Sequence, residues 1–178
     1  MKCLDIGPGK KAVMKQPGES WKTLQHPRNG RYKKGDISHD ITNIPWPIKS
    51  NTYQIVYASH VLEHVPWYQT IDVLQEIYRI LVPGGCAEIY VPDLRVIVNC
   101  YLTQTMADTW RKHNPEDDYM LWVNGRLFTY GDKPHRAAFD EPYLKRCMIK
   151  AGFQGVSKLD KPRVDNHRGI NLGVGGKK

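Results

Sequence analysis

Apolar positions change their spacing several times along the chain, and each change predicts an element. Lys2 to Ile6 is a short, largely apolar run that meets Gly7-Pro8-Gly9, the pattern of a strand entering a tight turn. Residues 10–35 are polar and punctuated by Pro17-Gly18 and Asn29-Gly30, with a weak strand pattern at Trp21 to Leu24. Gly35 to Ser38 predicts another brief strand, followed by a loop with Pro45-Trp46-Pro47. Gln54 to Ser59, compact and β-branched, predicts a well-defined one. Then the period lengthens. Ile71, Leu74, Ile77, Tyr78 and Leu81 fall at helical spacing and predict an amphipathic helix over about 68–81, ended by Pro83-Gly84-Gly85. Cys86 to Val91 predicts a buried strand stopped by Pro92, and Leu94, Ile97, Val98, Tyr101 and Leu102 a second helix. Residues 114–138 carry no regular period and read as irregular. Asp140 suits a helix N-cap, with Pro142 in the first turn and the helix running through Leu144 and Met148 to near Gly152. Gly155 to Leu159 and Ile170 to Val174 predict closing strands. Strands alternating with helices argue for an α/β fold with a mainly parallel sheet.

Composition narrows this only a little. The 178 residues suit one domain, and no apolar run approaches the roughly 18 residues of a membrane span. An acid and a glycine interrupt the first apolar run, so no signal peptide is expected there. Cys3, Cys86, Cys100 and Cys147 are scattered and form no C-x-x-C pair, which argues against a disulfide framework and for the cytoplasm. The charge is more informative. The net charge is +8, and residues 1–50 hold 10 Lys or Arg against 4 Asp or Glu. Among them are Lys10, Lys11, Lys15, Lys22, Arg28, Arg31, Lys33 and Lys34. Such a run suits phosphate, nucleic acid or an anionic sugar, and equally a solvated basic surface.

The chemistry-bearing motifs are short. In Leu4-Asp5-Ile6-Gly7-Pro8-Gly9, two glycines after a strand let the backbone approach a ligand, and the acid can accept from an amine or a hydroxyl. An ordinary βα turn fits the same residues. His60-Val61-Leu62-Glu63-His64 matches H-x-x-E-H, but it directly follows a strand and meets Pro66, which leaves no room for the helix a zinc protease needs.

Taken in order, further segments add to these. They are Asp40 before Pro45-Trp46-Pro47, Tyr53 through Pro66, Glu76 through Gly85, and Ala151-Gly152-Phe153. Together the set resembles the class I S-adenosylmethionine-dependent methyltransferases, in particular the type 11 or UbiE-like group. The likeness is strong over residues 2–95 and looser over 135–160. It implies a Rossmann-like, mainly parallel sheet with a reduced first crossover. Residues 1–178 are then a single methyltransferase-like domain, with 1–95 the cofactor-binding half and 96–178 the acceptor-pocket insertion and closing strands. By resemblance, Asp5, Gly7 and Gly9 line the amino-acid end of S-adenosyl-L-methionine. Gln25 stands where an acid normally holds the ribose hydroxyls, Asp40 and Ile41 flank the adenine, and Ser59 and His60 sit where cofactor and acceptor meet. Leu62-Glu63-His64 is the group's L-E-H signature, and the wider group carries it without a metal, so none is expected. The region also resembles some small-RNA 2′-O-methyltransferases and quinone O-methyltransferases that hold a metal with acid and acid-His ligands, a set that His60, Glu63 and His64, with His135, could imitate.

This chain departs from the group in four places. Lys10-Lys11 replace a third glycine, Gln25 replaces the acid, Tyr53-Gln54 replace Phe-Asp, and the first crossover is shorter than the dozen or so residues usual for a parallel connection. The implied activity is methyl transfer to an O or N atom of a small-molecule or saccharide acceptor. His60 or His64 would serve as the base, because imidazole titrates near working pH. Two alternatives are a degenerate cofactor-binding module without methyl transfer and a nucleic-acid methyltransferase, the latter favoured only by the basic first 50 residues. No membrane partner is expected, and the oligomeric state is open. His135-Arg136, Tyr130 and Trp122 are further candidates for an acceptor pocket, while Asp93 reads as a helix cap.

Overall fold

Among the described residues seven strands form one sheet, and the way each is buried explains why its sequence looks as it does. In the computed structural model, residues 1–9, 13–27, 36–105, 118–129, 134–164 and 169–178 are described. The strands are β1 (Lys2–Ile6), β2 (Ser20–Gln25), β3 (Ile37–Ser38), β4 (Tyr53–Ser59), β5 (Leu81–Pro92), β6 (Gln154–Leu159) and β7 (Asn171–Lys177). Their order across the sheet is β3-β2-β1-β4-β5-β7-β6. The first five run parallel; β7 pairs antiparallel with both β5 and β6. Central strands covered on both faces read as continuous apolar runs, and Leu4, Val56 and Ile89 have no exposed surface.

The larger core lies on one face of the sheet. Leu4, Ile6, Val56, Ala58 and Ile89 pack there beneath α1 (Thr70–Ile80) and the last helix, which runs Glu141–Lys150. On α1, Val73, Leu74, Ile77 and Ile80 are each at most 1% exposed. Burying each such side chain stabilises the fold by roughly 2 kcal/mol, which is what fixes this helix on the sheet. The expected boundaries shift slightly: α1 is entered through a single 3-10 turn at Trp67–Gln69, and β5 begins directly after it at Leu81, so Pro83-Gly84-Gly85 lies inside the strand. The register of β5 against β4 slips between the Tyr53 and Ile55 pairs, where that turn is accommodated.

The opposite face is covered more thinly. Tyr57 and Tyr90, one residue out of phase with the main core, pack with Val13, Trp21 and Val164. Residues 13–19, which precede β2, contain a turn and no helix, in line with the expected reduced first crossover. The role of a crossover helix passes to aromatic packing and to Arg163, which bridges Glu19 at 3.0 Å and Glu88 at 2.7 Å. Its guanidinium lies 5.1 Å from the Trp21 ring centre.

Among the described residues, the other helices are α2 (Leu94–Thr103), α3 (Tyr119–Leu127) and α4 (Glu141–Lys150). The stretch 114–138 therefore is not wholly irregular: α3 lies within it, capped by Asp118, whose carboxylate accepts from the Leu121 amide. Its hydrophobic periodicity is weak because its apolar residues pack in a small separate cluster with Ile97 of α2 and Ile170. Asp93 and Asp140 cap α2 and α4 as the sequence suggests, accepting from the amides of Arg95 and Tyr143. No helix among the described residues is long and apolar enough to cross a membrane. Lys10, Lys11, Arg28, Arg31, Lys33, Lys34 and Tyr130 lie outside the described residues.

Candidate active site

Parallel strands deliver their carboxyl ends to one edge of the sheet, and the candidate residues lie on the loops that leave it. Ile6 pairs with Leu24 on one side and Ala58 on the other, which sets the ends of β1, β2 and β4 next to one another. Gly7 follows β1 at φ +66° and donates its N–H to the Leu24 carbonyl at 2.9 Å. A Cβ on Gly7 would stand 2.5 Å from Cγ2 of Val61. Backbone sign and space therefore both require glycine there. Asp5, on the strand before the turn, is 6% exposed, and burial pushes its carboxyl up to about 7.

Gln25 is the last residue of β2 and is 5% exposed; its side-chain Oε1 is buried with no hydrogen-bond partner among the described residues. The backbone carbonyl of the same residue receives the His39 amide, which carries the chain to Asp40. The Thr42 amide and hydroxyl donate to one Asp40 oxygen at 3.0 and 2.8 Å, and His26 lies 3.3 Å from the other. Burial pulls that carboxyl upward, but the Thr42 bonds and His26 outweigh it and hold Asp40 below the usual carboxylate range. Ile41 packs on the main core, and its carbonyl accepts from the Trp46 indole at 2.9 Å. Gln54, a departure from the group's pattern, has a structural use: its side-chain oxygen accepts from the Lys2 amide at 2.6 Å and ties the starts of β1 and β4.

Beyond Ser59, the chain turns sharply. His60 has φ +55°, a left-handed conformation that a non-glycine residue adopts at a cost of roughly 1–2 kcal/mol. The turn is held by the His60 amide donating to Tyr90, at 2.9 Å. Residues Leu62–His64 then form a single 3-10 turn, ended by Val65 and Pro66. This is too short to place His60 and His64 on one helical face, so the zinc-protease geometry is excluded.

The turn instead gathers imidazoles around one buried acid. Glu63 is 1% exposed. Its Oε1 lies 3.2 Å from Nδ1 of His60 and 3.9 Å from Nε2 of His135. His135 arrives from a segment 72 positions away because the Glu63 carbonyl accepts the amides of Arg136 and Ala137 at 2.7 and 3.1 Å. The His64 and His135 rings meet edge to face, with centres 4.8 Å apart. Burial drives the Glu63 carboxyl upward, while His60 and His64 beside it outweigh this and hold it below its ordinary value. Burial pushes His135 down, against the upward pull of Glu63.

His60 is engaged on both sides: its Nε2 donates to Asn171 Oδ1 at 2.7 Å while its Nδ1 faces Glu63. Asn171, at the start of β7, carried no signal in the sequence. His64 and His135 are held differently. A carbonyl oxygen can only accept, so Nδ1 of His64 donates to Pro134 at 3.3 Å, and Nδ1 of His135 donates to Arg126 at 2.8 Å. His135 also borders a shallow surface depression whose walls include Leu94, Ile97, Arg126 and Phe139. Trp122 lies in the α2–α3 cluster, not among these walls.

The relatives of this chain agree with its topology. The sequence profile of the methyltransferase domain matches residues 1–158. A crystal structure of a SAM-dependent methyltransferase from Archaeoglobus fulgidus superposes with a TM-score of 0.60 at 15% identity, covering 99% of this chain and 86% of that one. PigF with SAH gives a TM-score of 0.61 at 15% identity, over 99% of this chain and 56% of that one. In sequence, the Saccharomyces cerevisiae protein YBR225W is 36% identical over 118 residues, 62% of this chain and only 13% of the yeast protein. With the parallel sheet, the glycine turn after β1 and the L-E-H turn after β4 in place, the chain belongs to the methyltransferase-domain family and has the fold of the S-adenosylmethionine-dependent methyltransferases.

Proposed function

We propose that the protein transfers the methyl group of S-adenosylmethionine to an oxygen or nitrogen atom of a small-molecule or saccharide acceptor. The observation that carries this reading is the unpartnered, buried Oε1 of Gln25 at the carboxyl end of β2, one strand from the Gly7 turn. A buried acceptor left without a donor costs roughly 1–3 kcal/mol, and a ribose hydroxyl would supply that donor. Gly7, with no room for a Cβ, fits the close approach of a ligand to its backbone. Asp5, Gly7 and Gly9 would hold the amino-acid end, Gln25 the ribose, and Asp40 with Ile41 the adenine, while Ser59 and His60 border the methyl group.

Bound S-adenosylmethionine supplies an activated methyl group that carries its own leaving group, so the protein's task is alignment and removal of one proton. His64 suits the second part. Its Nδ1–H is committed to the Pro134 carbonyl, which leaves the Nε2 lone pair to take a proton from an acceptor hydroxyl or amine. His60, held by Asn171 and Glu63, orients the turn.

Calorimetric titration of the full chain with S-adenosylmethionine tests the first half; a folded protein that takes up none at millimolar cofactor would favour a degenerate module. Release of S-adenosylhomocysteine with a pool of saccharides, alcohols and amines tests the second half. Release with RNA or DNA alone, lost steeply as salt rises, would redirect the reading to a nucleic-acid acceptor.

A further inference from the structure

We propose that Trp67 and Tyr68 form an aromatic platform, at the lip of the methyl-transfer site, that takes one face of an uncharged sugar ring. This rests on the reading above and deepens it, since it selects a neutral saccharide from the acceptors named there. The two rings are the exposed exception in a buried stretch. Val65 is 1% exposed and Thr70 0%, whereas Trp67 and Tyr68 are 65% and 67% exposed.

The backbone beneath the rings is fixed. The Gln69 amide donates to the Pro66 carbonyl at 2.8 Å, and the Thr70 amide donates to that of Trp67, which closes the 3-10 turn leading into α1. Val65 before the turn and Val73 after it belong to the main core. The rings meet edge to face, with centres 5.8 Å apart and planes at 85°. That arrangement leaves each ring at least one face uncovered by the other. Aromatic faces held this way lose little further freedom when a ligand settles on them.

Size and charge select the occupant. A Trp and a Tyr offer at most about 150–250 Å² each, well short of the roughly 800 Å² per partner in a stable protein interface. A nucleic-acid base would also stack on an aromatic face, but the phosphates around it need cations. From Val61 to Tyr78 the chain carries no Lys or Arg, while Glu63, Asp72 and Glu76 are acids. Arg136 is tied to this turn at Glu63, four residues before Trp67, where its amide donates to the Glu63 carbonyl. A neutral sugar ring fits what remains. Its C–H face, weakly positive, meets the negative face of the aromatic ring, and its rim hydroxyls stay in water. Position ties the platform to the reaction. Trp67 follows His64 by three residues, so their Cα atoms lie within about 11 Å of each other. A hydroxyl of a sugar seated there, or of the next ring along, can then meet the Nε2 lone pair of His64.

The full chain is run in native gels cast with dextran, laminarin or galactomannan, and with heparin or poly-uridylate as anionic probes. The expected result is retardation by at least one neutral polysaccharide, weakened about tenfold or more in Trp67→Ala and in Tyr68→Ala and largely kept in Trp67→Phe. Ile149→Ala, which trims a comparably exposed apolar side chain on α4, keeps full retardation. Circular dichroism and thermal midpoints of the variants match the parent, because neither ring is part of the core. No retardation by the neutral polysaccharides, retardation by the anionic probes alone, or retardation unchanged in both alanine variants would overturn the proposal. Self-association that Trp67→Ala abolishes, read by sedimentation, would assign the platform to a second copy and overturn it as well. Titrating the same samples with S-adenosylmethionine keeps the two readings apart. Cofactor uptake without retardation overturns the platform and leaves methyl transfer standing, whereas retardation without cofactor uptake overturns methyl transfer and leaves a sugar-binding surface.

Discussion

Replacing Gly7 by alanine should disturb the fold at the turn that leaves β1. Two costs are visible. At φ +66° an L-residue pays roughly 1–2 kcal/mol for the left-handed backbone. The new Cβ would also stand 2.5 Å from Cγ2 of Val61, far inside van der Waals contact, and Val61 is β-branched with little freedom at χ1. Overpacking of this kind typically costs about 1–3 kcal/mol. Gly7→Ala should therefore lose roughly 2–5 kcal/mol in urea denaturation, and Val61→Ala alone about 1 kcal/mol, as a partly buried methyl loss. The double variant should recover about 1–3 kcal/mol relative to the sum, because the clash needs both side chains while the backbone cost does not. Cofactor affinity, measured by calorimetry on each variant, should fall with Gly7→Ala and recover only in part. If the two losses add to within about 0.5 kcal/mol, Val61 is not what excludes a side chain at position 7, and the steric half of the argument fails.

Other consequences are as concrete. Asp5 titrates at about 7 when folded and near 3.9 when unfolded, so the native state holds the extra proton between those values. Its contribution is then most favourable below pH 4 and falls as pH rises to about 7, by up to roughly 4 kcal/mol. Asp5→Asn should be more stable than the parent at pH 8, with the gap closing toward pH 4; a constant gap across urea melts at several pH values would contradict the burial of a carboxyl there. Arg163→Met leaves Glu19 and Glu88 facing one another, and should cost about 3 kcal/mol at pH 7 and less at pH 4, where the carboxylates protonate; an equal loss at both, read from urea midpoints, would mean the side chain acts by packing alone. Gln25→Ala should weaken S-adenosylmethionine binding about tenfold, one hydrogen bond's worth, with little change in thermal midpoint; unchanged affinity would remove Gln25 from the cofactor site.

Much of the fold was legible because burial imprints itself on local patterns. Leu4 and Ile6 in β1, Val56 and Ala58 in β4 and the 3.6-residue stripe of α1 each face a core large enough to demand apolar side chains. Caps were legible for the same local reason, since Asp93 and Asp140 bond amides two or three residues away. Helix α3 escaped notice because its partners are few and its stripe is broken. The short link from Gly9 to Trp21 was legible as a deficit, but not its remedy: the Tyr57–Tyr90 face and the Arg163 bridge draw on residues up to 144 positions apart.

The amino-acid sequence alone determined the parallel α/β sheet, the glycine turn after β1 and the L-E-H turn after β4, because each depends on contacts between near neighbours or on a periodic face. It placed His60 and His64 in the same motif and offered either as the base. Only the tertiary structure separated them. Asn171 closes on His60 from β7, and the paired backbone bonds of Glu63 to Arg136 and Ala137 bring His135 in to meet His64. Which nitrogen of an imidazole keeps its lone pair depends on the carbonyl that reaches the other, and those carbonyls come from Pro134 and Arg126. The chemistry of the site is thus decided by long-range partners, and no spacing along the chain encodes them.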